Sequence, residues 1–246
     1  EINEIEVPIK IKRYGLAKDS GGAGKYRGGT AIEMWFEALA PNTRVTARNM
    51  DRTRFTSWGV QNGRAGAPSY FLLNPNTNAE RNLGNLDFIK IGPGDVVHVA
   101  SGGAGGWGNP LERDIDAVFQ DVKRGFVSQK SALEDYGIVI SNESYDLEAT
   151  EKRRSELMNS FADNDFFDYG VGRVEYEKIW NKANYDTLTK ILATIPIHWR
   201  FFIKHRIFEM VGNQETLDSG EKISTYFEGL LTEFPQLEET LRKETD

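Results

Sequence analysis

Residues 101–113 read Ser-Gly-Gly-Ala-Gly-Gly-Trp-Gly-Asn-Pro-Leu-Glu-Arg and place five glycines between Gly102 and Gly108. Glycine loses more backbone freedom on ordering than any other residue, so a cluster this dense is costly unless the fold requires it. The aromatic Trp107 and the stop at Pro110 argue against disorder. The segment therefore predicts backbone with unusual dihedral angles or a close approach of two stretches of chain.

Two interpretations of this segment are open. Consecutive backbone amides can bind an anion, and the spacing Gly103-x-Gly105-x-x-Gly108 formally matches a dinucleotide-binding fingerprint. However, Asn109-Pro110 stands where such a fold would continue a helix, which favours a role in turning or packing. On the first interpretation, the amides that contact a substrate or phosphate are those of Gly102, Gly103, Gly105 and Gly106.

Residues 19–29 form a second glycine cluster, in which Lys25 and Arg27 stand beside bare backbone. Anion binding is conceivable here as well. A wide hairpin or Ω-loop explains the same glycines without a ligand, and composition favours it.

Residues 48–59 concentrate three arginines around Asp51. Arg52 and Arg54 are candidates for binding a carboxylate or phosphate, because guanidinium groups present paired donors. A salt-bridge network at the surface or between subunits explains them equally well.

Composition excludes several classes of protein. The net charge of -7 over 246 residues disfavours nucleic-acid binding, and the absence of cysteine excludes disulfides, thiolate zinc sites and a cysteine nucleophile. No apolar run is long enough to span a membrane, and a cytoplasmic location is expected. His98, His198 and His205 have no converging carboxylates in the sequence, so we expect no metal site on this chain.

The distribution of glycine predicts an α+β fold with two parts, because nineteen of the 24 glycines precede residue 140. Short apolar or alternating runs between turn residues predict a β-dominated domain over residues 1–140. Residues 141–246 read as a helical extension that serves subunit docking. The predicted strands cover residues 7–11, 31–38, 44–47, 70–73, 88–91, 96–100 and 138–140.

After Pro110 the apolar residues recur at helical spacing. Asp114 or Asp116 can start a helix that ends at Gly125, and Ser128 can cap a second one that ends at Gly137. Residues with helical composition then follow at 147–161, 174–180, 185–194, 199–210 and 230–241.

Taken together, a series of motifs resembles the hydantoinase B/oxoprolinase family in both order and spacing. The resemblance covers residues 3–140, fades by residue 158, and corresponds to the C-terminal part of the family's B-type subunit. The motifs that carry it are Arg13-Tyr14-Gly15-Leu16, residues 19–29, residues 51–59, Gly63-Arg64-Ala65-Gly66-Ala67-Pro68, Gly92-Pro93-Gly94-Asp95-Val96, residues 102–113 and residues 121–128.

The resemblance implies membership of an ATP-dependent enzyme complex. In such complexes an A-type subunit binds ATP and Mg²⁺ and phosphorylates a substrate carbonyl, and a metal-containing B-type subunit completes the conversion. The implied function is part of a cyclic-amide hydrolase acting on a hydantoin, lactam or 5-oxoproline. A ketone carboxylase of the acetone or acetophenone type is the alternative, and a non-catalytic assembly module is a further one.

The family's metal-ligand motifs belong to the N-terminal part of the B-type subunit and are absent from this sequence. We therefore expect the chain, which starts at Glu1 within a run of extended pattern, to be either a fragment or a separately encoded portion of a split B-type subunit, and to be catalytically incomplete alone. The expected partners are the N-terminal part of that subunit and the A-type subunit, in a hetero-oligomer. Residues 160–246 lie beyond the family pattern.

Overall fold

The computed structural model describes residues 2–48, 50–141, 144–160, 166–212, 217 and 220–237. The chain divides into two compact units, Glu1–Gly172 and Arg173–Asp246. The first unit carries the strands and the glycine clusters, and the described part of the second is helical. This confirms the predicted α+β class.

The strands are β1 (Ile9–Leu16), β2 (Ile32–Ala38), β3 (Thr43–Ala47), β4 (Gly59–Val60), β5 (Tyr70–Leu73), β6 (Arg81–Asn82), β7 (Leu86–Ile91), β8 (Val96–Ala100), β9 (Ile140–Ser141), β10 (Ser144–Tyr145) and β11 (Phe167–Asp168). The helices are α1 (Ile2–Glu6), α2 (Ile115–Lys123), α3 (Gln129–Glu134), α4 (Leu147–Ser160), α5 (Val171–Ile179), α6 (Lys182–Thr194), α7 (Ile197–Val211) and α8 (Glu221–Glu233).

The main sheet is antiparallel and five-stranded, in the order β1-β2-β8-β5-β6. Side chains alternate between its two faces. The β3–β7 pair packs against one face and encloses an apolar core with it. The buried members of that core are Phe36, Ala38, Ala47, Phe71, Leu73, Ile91 and Val97.

The predicted strands of the first unit are present, with two corrections, one at the start of the chain and one at residues 138–140. The alternation from Ile5 through Ile11 predicts extended backbone, but residues 2–6 form α1 and β1 begins only at Ile9. The amide of Val7 bonds to the carbonyl of Asn3 at 3.0 Å, which closes the helix just before Pro8. Proline cannot continue a helix, so the extended pattern is realised only beyond it.

The helices of the first unit begin and end where their caps predict. Asp114, rather than Asp116, caps α2 by accepting from the amide of Ala117, and Ser128 caps α3. Gly125 and Gly137 have φ of 78° and 65°, the left-handed conformation expected after a helix. The strand predicted at residues 138–140 is displaced to Ile140–Ser141.

Helix α4 belongs to the first unit although it lies beyond the change in composition near residue 140. Arg154 on α4 donates to the carbonyl of Tyr136 at 3.0 Å and to that of Arg113 at 2.7 Å. Strand β11 then pairs with β4. These contacts hold residues 144–160 and 166–172 to the first unit, so the division between compact units follows Gly172.

The second unit packs α5 to α8 around an apolar core. Its fully buried side chains include Leu188, Ile195, Ile203, Ile207, Ile223 and Leu230. The helical tracts predicted at 174–180, 185–194 and 199–210 are confirmed here, whereas α8 begins at Glu221, nine residues before the tract predicted at 230–241. Phe161 and Leu241, at the ends of two predicted tracts, lie outside the described residues. None of the helices in the described part of the chain has the length and apolar character that crossing a membrane requires.

Candidate functional site

Three glycine-rich loops meet backbone to backbone beside the main sheet. We call residues 20–29, 57–67 and 102–108 together the glycine web. Its amides donate to carbonyls of neighbouring loops: Gly22 to Ala104 at 2.8 Å, Arg64 to Ala23 at 2.7 Å and Gly106 to Arg64 at 2.9 Å. The web therefore consists of long-range backbone pairing.

The web excludes side chains at its contact points. A Cβ placed on Gly106 would lie 2.2 Å from the carbonyl oxygen of Ala23, and one on Gly103 would lie 1.7 Å from that of Ser20. Gly63 and Gly66 make the same kind of contact, with the carbonyl oxygens of Gly106 and Gly103. The glycines are needed for close approach.

The structure shows what surrounds the glycines predicted as ligand contacts. The amides of Gly103 and Gly106 donate to the carbonyls of Ala67, at 3.0 Å, and of Arg64. A Cβ on Gly105 would lie 1.6 Å from the carbonyl oxygen of Trp58. Packing thus accounts for these positions, and contact with a substrate or phosphate stays a prediction for the Gly102, Gly103, Gly105 and Gly106 amides.

The structure places one of the two candidate arginines beside this segment. The Cβ of Arg52 lies 3.2 Å from the position that a Cβ on Gly102 would occupy. Arg52 has φ of 63°, and its guanidinium donates to the carbonyl of Thr56 at 3.4 Å. The guanidinium of Arg54 lies over the ring of Phe55. Arg52 and Gly102 are therefore neighbours, and a substrate role for either arginine stays a prediction.

The face of the main sheet opposite the apolar core carries a cluster of polar and aromatic side chains from four adjacent strands. We call these five residues the polar cluster: Arg13, Glu33, Trp35, Tyr70 and His98. Glu33 is the centre, with Oε1 at 2.7 Å from Arg13 Nε and Oε2 at 2.9 Å from His98 Nε2. Tyr70 Oη lies 3.2 Å from the same imidazole nitrogen.

Burial and stacking fix this arrangement. Glu33 and His98 are each 6% exposed, and the ring of Trp35 stacks on the imidazole with centroids 3.9 Å apart. Burial lowers the pKa of His98 below its usual range, despite the opposing effect of Glu33. Burial, followed by the charge of Glu33, raises the pKa of Tyr70. Both groups are therefore neutral near pH 7.

The polar cluster can hold a proton at a defined atom. Because Nε2 of His98 faces the Glu33 carboxylate, it carries the ring proton, and Nδ1 is left as the acceptor. Sequence reasoning missed this cluster, because it considered His98 only as a metal ligand and found no converging carboxylates for it. The sequence contains a signal for the cluster: Glu33 and Trp35 alternate with the apolar residues of β2, and His98 stands between Val97 and Val99 of β8.

The described residues do not fit a metal centre, because they contain no group of three or more His, Asp or Glu side chains arranged to hold an ion. His205 is near Glu209, at 3.4 Å on the same helix, as an exposed pair. The web likewise offers no nucleotide-binding loop followed by a helix, since a short 3-10 turn at Pro110–Glu112 comes next.

Comparison with known proteins shows which family the first part of the sequence is similar to. The sequence model of the hydantoinase B/oxoprolinase family matches residues 1–110. Over these residues the chain is similar to that family. The match includes the three loops of the glycine web and every member of the polar cluster, and it confirms the resemblance inferred from the motifs.

Curated relatives extend the similarity further along the chain. An uncharacterized protein of Methanocaldococcus jannaschii is 37% identical over 159 residues, covering 63% of this chain and 28% of that protein. Caprolactamase subunit beta of Pseudomonas jessenii is 33% identical over 171 residues, covering 63% and 27%. The acetone carboxylase alpha subunit of Xanthobacter autotrophicus is 26% identical over 183 residues, covering 57% and 22%.

A solved structure is also similar. The crystal structure of ATP-dependent caprolactamase from Pseudomonas jessenii aligns with a TM-score of 0.49 and 30% identity, over 62% of this chain and 27% of that one. The chain thus spans about a quarter of the length of the curated relatives that it matches.

Proposed function

We propose that this chain is part of the B-type subunit of an ATP-dependent cyclic-amide hydrolase. The observation that carries the proposal is the 33% identity to caprolactamase subunit beta, together with the family match over residues 1–110. In this role the chain is catalytically incomplete alone. ATP and Mg²⁺ belong to an A-type partner subunit, and the divalent metal belongs to the N-terminal part of the B-type subunit.

The chain's own contribution is a rigid support and a proton-holding cluster. The glycine web fixes residues 102–108 against two other loops, and Arg52 lies beside Gly102. The polar cluster presents a neutral imidazole, oriented by Glu33, beside the hydroxyl of Tyr70. Opening an amide ring requires proton movement to the leaving nitrogen, and such groups are suited to it.

A ketone carboxylase is the second candidate, and the similarity to acetone carboxylase alpha subunit favours it. Both reactions begin with an activated carbonyl, and they differ in whether water or bicarbonate reacts next. In both cases the partners are the same: the rest of the B-type subunit and an A-type subunit.

The test is an assay of the complete complex with ATP. One arm offers a panel of hydantoins and lactams, and the other offers ketones with labelled bicarbonate. Phosphate release with ring opening supports the first proposal, and fixation of label supports the second. An assembly that gives neither product, while this chain is required for its formation, identifies an assembly module.

A matched pair of variants tests the site within that assay. Arg52→Ala is expected to lower turnover by roughly ten- to a hundredfold, the usual cost of losing a charged hydrogen-bond partner. Arg48→Ala is the control, because Arg48 pairs with Asp87 in an exposed ion pair. Equal turnover in the two variants would remove Arg52 from the site.

A further inference from the structure

A buried ionic cluster joins the glycine web to α2. Arg27, from web residues 20–29, places Nε 2.9 Å from Asp121 Oδ2, and Arg113 places Nη2 2.9 Å from the same oxygen. The two arginine side chains are each 15% exposed, and that of Asp121 is 9% exposed. Two guanidinium groups therefore share one buried carboxylate.

Arg154 on α4 adds a third guanidinium group to the cluster. Its Nε donates to the carbonyl of Tyr136 at 3.0 Å, and its Nη2 donates to the carbonyl of Arg113 at 2.7 Å. Burial lowers the pKa of Arg154, against the opposing effect of the Asp114 carboxylate. Arginine stays charged in proteins despite such shifts. The cluster thus contains three cations around the single carboxylate of Asp121.

Two further carboxylates act electrostatically on the cluster, and in the described part of the chain each is bonded elsewhere. Asp114 is exposed and accepts from the amide of Ala117 as the cap of α2. Asp135 accepts from the hydroxyl of Ser131 at 2.6 Å. Water and salt screen an exposed charge much more than a buried one. The interior of the cluster is therefore left with more positive than negative charge.

Two hydrogen-bond donors of the cluster have no acceptor among the described residues. These are Arg113 Nε and Tyr136 Oη, and both atoms are buried. Tyr136 as a whole is 1% exposed. Burial raises the pKa of its hydroxyl to about 12, and the positive charges of Arg113 and Arg27 oppose that rise, so the hydroxyl lies within the field of the cluster. Buried donors in folded proteins almost always have a partner, and these two require one.

An anion fits this pair of donors better than a water molecule does. Arg113 Nε can only donate, and the neighbouring carbonyls of Gly28 and Lys25 already accept from Arg27 and Arg113. A water molecule that accepts from both donors must also place its own two protons, whereas an anion has none to place. The surplus positive charge attracts an anion and not a neutral molecule.

The packing around Tyr136 limits the size of the ligand. Val118, Ala132 and Ile138 belong to the same apolar core and are fully buried. Protein interiors are close-packed and leave few spaces larger than a water molecule. A single-atom anion fits such a space, and a phosphate or carboxylate does not.

We propose that this cluster binds one chloride ion, held by the N–H of Arg113 Nε and the O–H of Tyr136. The ion offsets the buried positive charge of Arg27, Arg113 and Arg154 and ties the glycine web to α2 and α4. Its role is structural, and the proposal does not depend on the proposed function.

The test measures the stability of the first unit in the full chain as sodium chloride replaces sodium gluconate at constant ionic strength. Hydrogen exchange of the β8 amides reports the unfolding of this unit. We expect chloride to slow this exchange about tenfold, the gain from a ligand at ten times its dissociation constant that binds only the folded chain. Exchange that does not respond to chloride would overturn the proposal.

A matched pair of tyrosine variants separates the site from general effects of the salt. Tyr136→Phe removes one of the two donors, and Tyr14→Phe removes the hydroxyl of a tyrosine that is 69% exposed and outside the cluster. Losing a hydrogen bond to an ion weakens binding by roughly tenfold or more, so the slowing should fall to about twofold in Tyr136→Phe and stay near tenfold in Tyr14→Phe. Equal responses of the two variants would contradict the proposal.

Anomalous diffraction on the unaltered chain locates the ion and does not depend on the folding of either variant. The probe is sodium bromide in the crystallisation solution, because bromide replaces chloride and scatters anomalously. We expect an anomalous peak in contact with Arg113 Nε and Tyr136 Oη. Density there without an anomalous signal would identify a water molecule, and peaks confined to the surface would mark adventitious ions only. Either result would overturn the proposal.

Discussion

In the glycine web the closest contacts join backbone to backbone, whereas in the second unit they join large side chains. The web holds carbonyl oxygens within about 2 Å of where a Cβ would stand, as at Gly106. In the second unit Trp180 and Phe208 stack with centroids 4.1 Å apart, and Ile203 and Ile207 are fully buried. One region depends on the absence of side chains and the other on their burial, so substitutions should damage the two regions in opposite ways.

Adding one methyl group to the web is expected to have the largest effect. In Gly106→Ala the new Cβ would lie 2.2 Å from the Ala23 oxygen and 2.6 Å from that of Gly22, both backbone atoms with little freedom to move. We expect the first unit to lose more than about 3 kcal/mol of unfolding free energy, measured by denaturant titration. Gly92→Ala is the control, since it has open space around the same atom, and it should change stability by less than about 1 kcal/mol.

Removing side-chain volume should be the damaging change in the second unit. Ile203→Ala leaves a cavity in the core and is expected to cost roughly 3 kcal/mol, with the loss confined to the second unit. Phe201→Ala on the same helix is the control, because Phe201 is 81% exposed and its loss should cost less than about 0.5 kcal/mol. If Gly106→Ala lowers the unfolding free energy no more than Phe201→Ala does, the contrast between the two regions is contradicted.

Tyr136 lies where the web meets a side-chain core, packed with Ala23 and Val118. Burial raises the pKa of Tyr136 to about 12. The unfolded chain releases this proton near pH 10 and the folded chain does not, so stability is retained below pH 10 and falls by up to about 1.4 kcal/mol per pH unit as pH rises toward 12. Because the Tyr136 hydroxyl has no hydrogen-bond partner within the described residues, Tyr136→Phe should change the unfolding free energy little near pH 7 in chloride-free buffer. The same variant should weaken the fall in stability between pH 10 and pH 12.

The polar cluster should give a smaller effect of opposite sign. Burial lowers the pKa of His98, so the unfolded chain binds a proton that the folded chain resists. The stability of the first unit should therefore fall as pH drops below about 6.5, the ordinary value for histidine. His98→Gln should weaken this acid dependence, and an unchanged slope would show that other groups cause it.

Local signals in the sequence predicted much of the fold. Asp114 and Ser128 cap helices, Gly125 and Gly137 end them, and the alternating runs became the strands of the main sheet. These features depend on residues within a few positions of each other. Pro8 was the exception, because the alternation before it suggested a strand where a helical turn formed.

Contacts between distant residues were not predictable in the same way. The Gly22 and Gly106 loops meet across more than eighty positions, and no periodicity marks either as the partner of the other. The polar cluster draws on four strands, each contributing one or two residues that look unremarkable in their own segment. Strand β11 pairs with β4 over only two residues, which is too short for a pattern. Family motifs located the glycines correctly without indicating what they touch.

Amide hydrogen exchange of the full chain tests the central claim, that the web glycines are held by backbone pairing. The amides to follow are those of Gly22, Arg64 and Gly106, which donate to carbonyls of other loops at 2.8, 2.7 and 2.9 Å. The account predicts that all three exchange only on unfolding of the first unit, as slowly as the amides of β8. Exchange at the rate of an exposed loop, with no slowing relative to an unstructured peptide, would contradict it.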